Sequence, residues 1–329
     1  MKAAFFEAPG LANLKVGDFL DPRPGPGEVL VRVKYFGINP VDIMTIEGFI
    51  RAQPMPHVPG AEFVGVVEDV GLGVSGFAKG DPVVVYNRLY CGSCRYCLTG
   101  ETQLCTSGGI IGIAANGGFA EYVAVPAKNL VKVGGDLLKF VGLPVGGLTA
   151  YNMLRRTGVQ TGDVVAVVGA TGNVGVFAVQ LAKRAGAYVI AISRKGAERL
   201  RELGADEVLA PEDAAKRWGN AVDVVVDPVG ASTFELSLKL LARGGRYVTA
   251  GALTGGEVEV DLRRLYGAQL SLVGSTGGRR ADLEVLVRLV ERGAVSTPIY
   301  RLVKGLDGLG QAIEAFRDPG RIGKVAVEV

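Results

Sequence analysis

Histidine is all but missing from this sequence: His57 is the only one in 329 residues. Cysteine is as restricted, with four residues, all between positions 91 and 105. An open catalytic zinc site draws on His, Cys and carboxylate ligands. Outside the cysteine cluster the chain therefore lacks the usual ligands for a metal that does chemistry. Net charge is only +3, too small for a nucleic-acid surface. No apolar run reaches the roughly 18 residues that span a bilayer. The N-terminal Met1–Glu7 meets charge before a signal-length apolar core develops. There is no low-complexity tail and no repeat of solenoid period. Asn and Gln are scarce and Arg is frequent, which leans toward a thermophilic source. These absences leave an expectation of a protein of the reducing cytoplasm, with no nucleic-acid partner and no membrane.

What is present is apolar and glycine-rich. Hydrophobic residues make up 48% of the chain and charged residues 21%, enough for a large core. The length favours two domains. The 49 glycines exceed ordinary usage and call for many tight turns or for backbone that approaches a ligand.

The cysteines read Cys91-Gly-Ser-Cys94-Arg-Tyr-Cys97 and then Cys105, with two, two and seven residues between them. Four thiolates so close in sequence close around one tetrahedral zinc and leave no position for substrate, the pattern of a structural site. Disulfides are the competing reading, but they belong to oxidising compartments, which nothing here indicates.

The first third reads as short strands cut by Gly and Pro. Glu28–Tyr35 alternates polar and apolar residues, as a half-buried strand does. Ala61–Val70 and Asp81–Tyr86 are apolar and β-branched, and the Pro/Gly run 22–27 is a turn. This region reads as a small antiparallel barrel or sandwich.

Near residue 145 the pattern changes to strands alternating with helices. The strands are Val164–Val168, Ala187–Ile192, Glu207–Leu209, Val222–Val226, Arg246–Ala250 and Leu270–Val273. Between them lie helices Asn173–Ala185 and Ala197–Leu203, and one opened by a capping box at Ser232–Glu235 that runs to Arg243. Such alternation makes a six-stranded, parallel, doubly wound α/β sheet. The C-terminal part holds a helix at Leu283–Arg292 with Asp282 as its cap, a shorter helix at Leu309–Phe316 and a final strand, Lys324–Val329.

Strand Val164–Val168 leads into Gly169-Ala170-Thr171-Gly172-Asn173-Val174-Gly175, which opens a helix. Ala170 replaces the first glycine of a Gly-x-Gly-x-x-Gly triplet, but the strand–loop–helix context is that of a dinucleotide site. Gly172 would let backbone approach a pyrophosphate at the helix N-terminus, and Gly175 would let helix and strand pack closely. A tight turn with no ligand is the plainer alternative. At the end of the second strand an NAD site usually has Asp or Glu for the ribose 2′-hydroxyl. This chain has Ser193-Arg194-Lys195 there, which suits a 2′-phosphate and hence NADP(H), unless the two cations are merely solvated. Gly251, Ala252, Ser275 and Lys324 are also placed with the cofactor.

Taken together, the cysteine lobe 91–105, Gly60-Ala61-Glu62, Gly118–Tyr122, the loop 169–175, Asp227–Gly230, Gly244–Arg246 and Gly323-Lys324-Val325 resemble the zinc-type medium-chain dehydrogenase/reductase superfamily along nearly the whole chain. The resemblance implies a Rossmann dinucleotide-binding domain at 147–275. It implies a GroES-like β-barrel catalytic domain at 1–146 and 276–329, with the zinc lobe at 88–107 and substrate in the cleft between the two domains. A homodimer through the Rossmann edge strand Leu270–Val273, or a homotetramer, is implied in the same way.

The departures from that family are specific. Its alcohol dehydrogenases carry a zinc-binding Cys where this chain has Asn39, a His where it has Ala61 and a third ligand near Val145. Glu62 alone is retained, as a possible relic. Asn39-Pro40-Val41-Asp42 and Gly147–Tyr151 look instead like the zinc-free quinone oxidoreductase branch. The expectation is one structural Zn2+ per subunit and an NADP(H)-dependent enzyme. Without a Lewis acid it would pass hydride to a quinone, an enone or an activated aromatic ketone. Asn39 and Thr149 are the catalytic candidates, with Asp42, Glu62 and Tyr151 behind them. Asn39 either donates to a developing oxyanion or holds the barrel loop through backbone bonds. The alternatives are a zinc alcohol dehydrogenase with atypical ligands and a non-catalytic NADPH-binding protein. His57 is read as a loop residue at the cleft rim, not as a replacement ligand.

Overall fold

The structure is a computed structural model that describes all residues from Met1 to Val329. It divides into two compact units. The first comprises Met1–Val145, Gly278–Pro319 and Lys324–Val329, and the second Gly146–Gly277 and Gly320–Gly323.

In the first unit the alternating strand Glu28–Gly37 is the hub. Its inward residues Val29, Val31, Val33 and Phe36 are buried. It pairs antiparallel with Phe63–Val70, with Tyr122–Pro126 and with the C-terminal Lys324–Glu328. Pro82–Val85, Leu130–Lys132 and Ile299–Lys304 complete a seven-stranded sheet in which only the pair Ile299–Lys304/Lys324–Glu328 is parallel. Phe36, Phe63, Phe119, Val123, Val325 and Val327 form one core with Leu309 and Ile313 of the helix Leu309–Arg317. The Phe36 and Phe119 rings lie 4.4 Å apart. Burying each such ring stabilises the unit by about 2–3 kcal/mol.

The second unit carries six parallel strands: β1 (Val164–Val168), β2 (Tyr188–Ile192), β3 (Glu207–Leu209), β4 (Val222–Asp227), β5 (Leu241–Thr249) and β6 (Ser271–Gly274). Their order is β3-β2-β1-β4-β5-β6, a doubly wound sheet. The all-apolar β1 is buried on both faces, as a central parallel strand must be.

Several local expectations fail for identifiable reasons. The helix after β4 spans Ala231–Leu240 with Gly230 before it, so Ser232 is inside the first turn and not a cap. Buried Asp227 takes over that end, accepting from Val229 N (2.9 Å) and from the hydroxyls of Thr233 and Ser237. The chain turns to strand at Leu241, so the helix never reaches Arg243. The helix expected at 283 begins at Arg280, with Asp282 in its first turn accepting from the Arg279 N–H at 3.1 Å. Helices Leu148–Thr157, Pro211–Trp218 and Leu262–Gly267 went unread. The continuous helical stretch Leu137–Thr157 has the length and mean hydropathy of a bilayer-crossing helix, yet 72% of its most apolar window is buried inside the protein. It is a core helix by that measure.

Candidate active site and metal lobe

The cysteine lobe is built from short elements. Strand Arg88–Leu89 pairs with Gly109–Ile110, Cys94 precedes a one-turn helix at Arg95–Leu98, and a 3-10 turn at Thr102–Leu104 leads to Cys105. The four sulfurs lie within 4.8 Å of one another. Cys91 and Cys97 Sγ are 3.9 Å apart, and Cys94 and Cys97 Sγ 3.5 Å. Four thiolates at tetrahedral zinc distance would stand about 3.8 Å apart, so the donor set fits one zinc. Backbone N–H groups of Ser93 and Cys94 donate to Cys91 Sγ at 3.4 and 3.3 Å. The Ser93 amide is the chief reason that the Cys91 thiol is brought down to about 5, whereas burial pushes Cys97 up to about 11.

Asn39, Ala61 and Val145, the positions at which the family resemblance implies metal ligands, meet one buried polar cluster. Asn39 precedes helix Pro40–Ile46. Its backbone N–H donates to Asp42 Oδ2 at 2.8 Å, and the backbone N–H of Ala61 donates to Asp42 Oδ1 at 2.8 Å. Glu62 Oε1 accepts from Val145 N at 2.8 Å, and Glu62 Oε2 accepts from Asn39 Nδ2 at 2.9 Å. Lys324, at the start of the last strand, projects its ammonium into this cluster. It is in very short ionic contact with Glu62 and donates to Asn39 Oδ1 (2.8 Å) and Ile38 O (3.1 Å). Glu62 and Asn39 are fully buried and Lys324 is only 2% exposed. Gly37 makes room for it: a Cβ there would stand 2.1 Å from Lys324 Cε.

The consequences are electrostatic. Three oxygen acceptors, from Ile38, Asn39 and Glu62, match the three donors of an ammonium, so a fixed cation sits directly beside Asn39 and Glu62. Ala61 and Val145 offer only backbone, and Asn39 gives its amide to Lys324 and Glu62. This donor set does not fit a catalytic zinc. Burial raises the Asp42 carboxyl to about 6, against the two backbone N–H donors that favour its charged form.

In the second unit, β1 runs into the glycine loop and helix Gly175–Arg184. Gly169 has φ +62°, which glycine adopts without strain. A Cβ on Gly175 would stand 2.3 Å from Gly169 O, so helix and strand pack at glycine distance. A Cβ on Gly172 would meet only Gly169 O, at 3.3 Å, and would otherwise project into the open cradle above the loop. That cradle fits a dinucleotide pyrophosphate. Ala170 and Asn173 are buried, and Thr171 and Val174 are partly exposed. Beyond β2, Ser193 Oγ caps its own turn at Lys195 N (3.1 Å), and the exposed Arg194 pairs with Glu212 at 3.0 Å. Gly251 is needed because a Cβ would fall 2.1 Å from Pro228 O, and Ala252 follows it in the same loop. Ser275 Oγ bonds Asn152 Nδ2 at 3.0 Å. Thr149 is 9% exposed in the first turn of helix Leu148–Thr157, and Tyr151 is half-buried in the next positions.

Two placements differ from the sequence reading. His57 is fully buried, with Nε2 2.8 Å from Gly112 O and its ring edge on Phe6, so it is not at a rim. Burial lowers its pKa. Lys324, grouped with the cofactor from sequence, is instead enclosed with Glu62 and Asn39. Arg321 was passed over entirely. The signal available for it was a cation bracketed by glycines in Gly320-Arg321-Ile322-Gly323, directly before the last strand.

With this geometry in view, the relatives are informative. Residues 25–135 match the alcohol dehydrogenase GroES-like domain and residues 173–292 the zinc-binding dehydrogenase domain. An alcohol dehydrogenase of Geobacillus stearothermophilus is 33% identical over the full length of both chains. An acryloyl-coenzyme A reductase of Sulfurisphaera tokodaii is 31% identical, again over all of both chains. Among solved structures, a thermostable alcohol dehydrogenase from Pyrobaculum aerophilum, with cobalt and zinc bound, is 54% identical at a TM-score of 0.96, covering 100% of this chain and 99% of that one. The chain belongs to the medium-chain dehydrogenase/reductase superfamily, with a GroES-like unit and a Rossmann-type unit. It is an oxidoreductase of that type, and its Cys91, Cys94, Cys97 and Cys105 form the cluster suited to a structural zinc.

Proposed function

We propose that this enzyme is an NADP(H)-dependent reductase of quinones, enones or activated aromatic ketones that works without a catalytic zinc. The observation that carries the reading is the Asn39–Glu62–Lys324 cluster, which puts a lysine ammonium and two backbone groups where a metal would need side-chain ligands. An unconjugated alcohol needs its alkoxide stabilised by several kcal/mol, which a zinc ion supplies elsewhere. An electrophilic acceptor makes a smaller demand. The dinucleotide supplies the hydride when bound. The chain's own part is to bind, orient and exclude water. Glycines 172 and 175 and Asn173 form the cradle, and Thr149 is the candidate hydroxyl donor to the oxygen that gains charge. Asn39 acts as a positioning residue, since its amide is held on both sides.

Ser193, Arg194 and Lys195 support NADP(H): they offer a hydroxyl and two cations to a 2′-phosphate, although Arg194 shares its charge with Glu212. The relatives named acryloyl-coenzyme A reductases, at 31% and 32% identity, reduce a conjugated alkene by their names and support the enone class. The relatives named alcohol dehydrogenases favour a second reading, a zinc alcohol dehydrogenase with atypical ligands. A homodimer through β6 fits the exposed Leu272, Leu262 and Tyr266 along that edge.

The test is a turnover screen with NADPH and NADH over quinones, enones, aromatic ketones and simple alcohols, with and without chelator. Chelator-insensitive reduction of the first three groups, faster with NADPH, is expected. Oxidation of simple alcohols abolished by chelator would establish the second reading instead.

A further inference from the structure

The last crossing of the chain holds a feature that neither the family domains nor the sequence motifs assign. Four residues, Gly320–Gly323, leave the first unit and pack within the second. They dock on the glycine loop. Gly323 N donates to Thr171 O at 2.8 Å. Arg321 Nη1 donates to Asn173 Oδ1 at 2.9 Å, across 148 positions of sequence, and also to Gly323 O. Ile322 fills the space left by a second glycine: a Cβ on Gly196 would stand 2.3 Å from Ile322 Cδ1 and 3.7 Å from Thr171 Cγ2. Gly323 adopts φ +87°, which lets the chain turn into the final strand immediately after this contact.

We propose that Arg321 is a cofactor-binding residue whose guanidinium grips the pyrophosphate of the dinucleotide. Its anchor, Asn173, lies between Gly172 and Gly175, beside the backbone amides at the start of helix Gly175–Arg184, where a helix N-terminus favours an anion. Those amides carry partial charge only. A guanidinium held beside them adds a full positive charge and a planar set of donors that matches phosphate oxygens. The side chain is half-buried, so little rotamer freedom remains to be lost on binding. Lys324, three residues on, is enclosed with Glu62 and Asn39, so Arg321 is the C-terminal cation placed at the loop.

The inference rests on the proposed dinucleotide reading and sharpens it to one contact. The pyrophosphate is common to both cofactors and the 2′-phosphate is not, which makes the assignment testable. Calorimetric dissociation constants for NADPH and NADH would be measured on the wild type, Arg321→Gln, Arg321→Lys and Ile322→Ala, with thermal unfolding as a check on folding. Arg321→Gln is expected to weaken both cofactors at least about tenfold and by similar factors. Arg321→Lys should recover part of that loss, and kcat at saturating cofactor should change less than KM. Ile322→Ala loosens the same segment without touching the charge and should stay within about threefold of wild type. Unchanged affinity in Arg321→Gln would overturn the proposal, as would a loss confined to NADPH, which would move the contact to the 2′-phosphate. An equal loss in Ile322→Ala would overturn it too, since the segment's packing and not its charge would then matter. Wild type that binds neither cofactor would reject the dinucleotide reading itself, and this inference with it. If Arg321→Gln does not fold, the Arg321→Lys and Ile322→Ala pair decides alone.

Discussion

The cysteine lobe and the Asn39–Glu62–Lys324 cluster belong to the same unit and follow opposite plans. In the lobe, four partly or wholly exposed thiols converge, their sulfurs within 4.8 Å of one another. Such a group is complete only when an external ion joins it. In the cluster, a carboxylate, an amide and a carbonyl already enclose an ammonium supplied by the chain. The first is suited to an external zinc; the second has its charge built in. An internal cation cannot be lost to a chelator, but neither can it open a coordination position for an alkoxide. That difference is what restricts the proposed chemistry to acceptors that are already electrophilic.

The comparison can be broken at either side. The largest effect is expected from Cys94→Ser. It should abolish zinc binding and lower the melting temperature by roughly 10 °C, because a lobe of one-turn elements has little core of its own. Elemental analysis with a thermal scan reads both. Next comes Glu62→Ala, which strands the Lys324 charge in a buried site and should cost about 3–5 kcal/mol by denaturant unfolding while leaving the zinc in place. Pairing it with Lys324→Met should recover much of that loss. Additive losses in the double variant would mean that the two groups do not form a unit.

A smaller effect is expected from pH. The Asp42 carboxyl sits at about 6 in the fold against a usual value of 3.8, so the native state holds its proton longer than the unfolded chain does. Its contribution to stability is therefore full below about pH 4 and is lost as pH rises through 6, by up to about 3 kcal/mol. Asp42→Asn should flatten the stability curve between pH 4 and 6; a curve parallel to wild type would contradict the shift. The smallest effect is expected from Arg194→Ala. Its exposed pairing with Glu212 adds little to stability. NADPH affinity should nonetheless fall about tenfold with NADH unchanged, and equal changes would remove the 2′-phosphate reading.

What could be read from the sequence was local. The cysteine spacing, the glycine loop, the apolar strand β1 and the short strand β3 each depend on neighbours within a few positions, and the structure shows them where they were expected. That Asn39, Ala61 and Val145 stand where alcohol dehydrogenases carry metal ligands came from the family resemblance. What surrounds Asn39 could not be read at all, because Lys324 lies 285 positions from it and meets it only through pairing of the last strand with Glu28–Gly37. Arg321 was hidden in the same way, 148 positions from Asn173. The Ser232 capping box misled because tertiary structure supplied a better partner: Asp227, buried at the end of β4, satisfies that helix start itself. The helix Leu148–Thr157 went unread because its buried face carries polar side chains, Thr149, Asn152 and Thr157 among them, which break the apolar spacing by which helices are found.

The central claim is that this unit holds one external metal and one internal cation. The most direct test is the zinc content per subunit of wild-type protein, purified without added metal, exposed to excess zinc and then desalted. The account predicts one zinc, lost in Cys94→Ser and retained in Glu62→Ala. Two zincs, with the second lost in Glu62→Ala, would contradict it and would place a metal where Lys324 now stands.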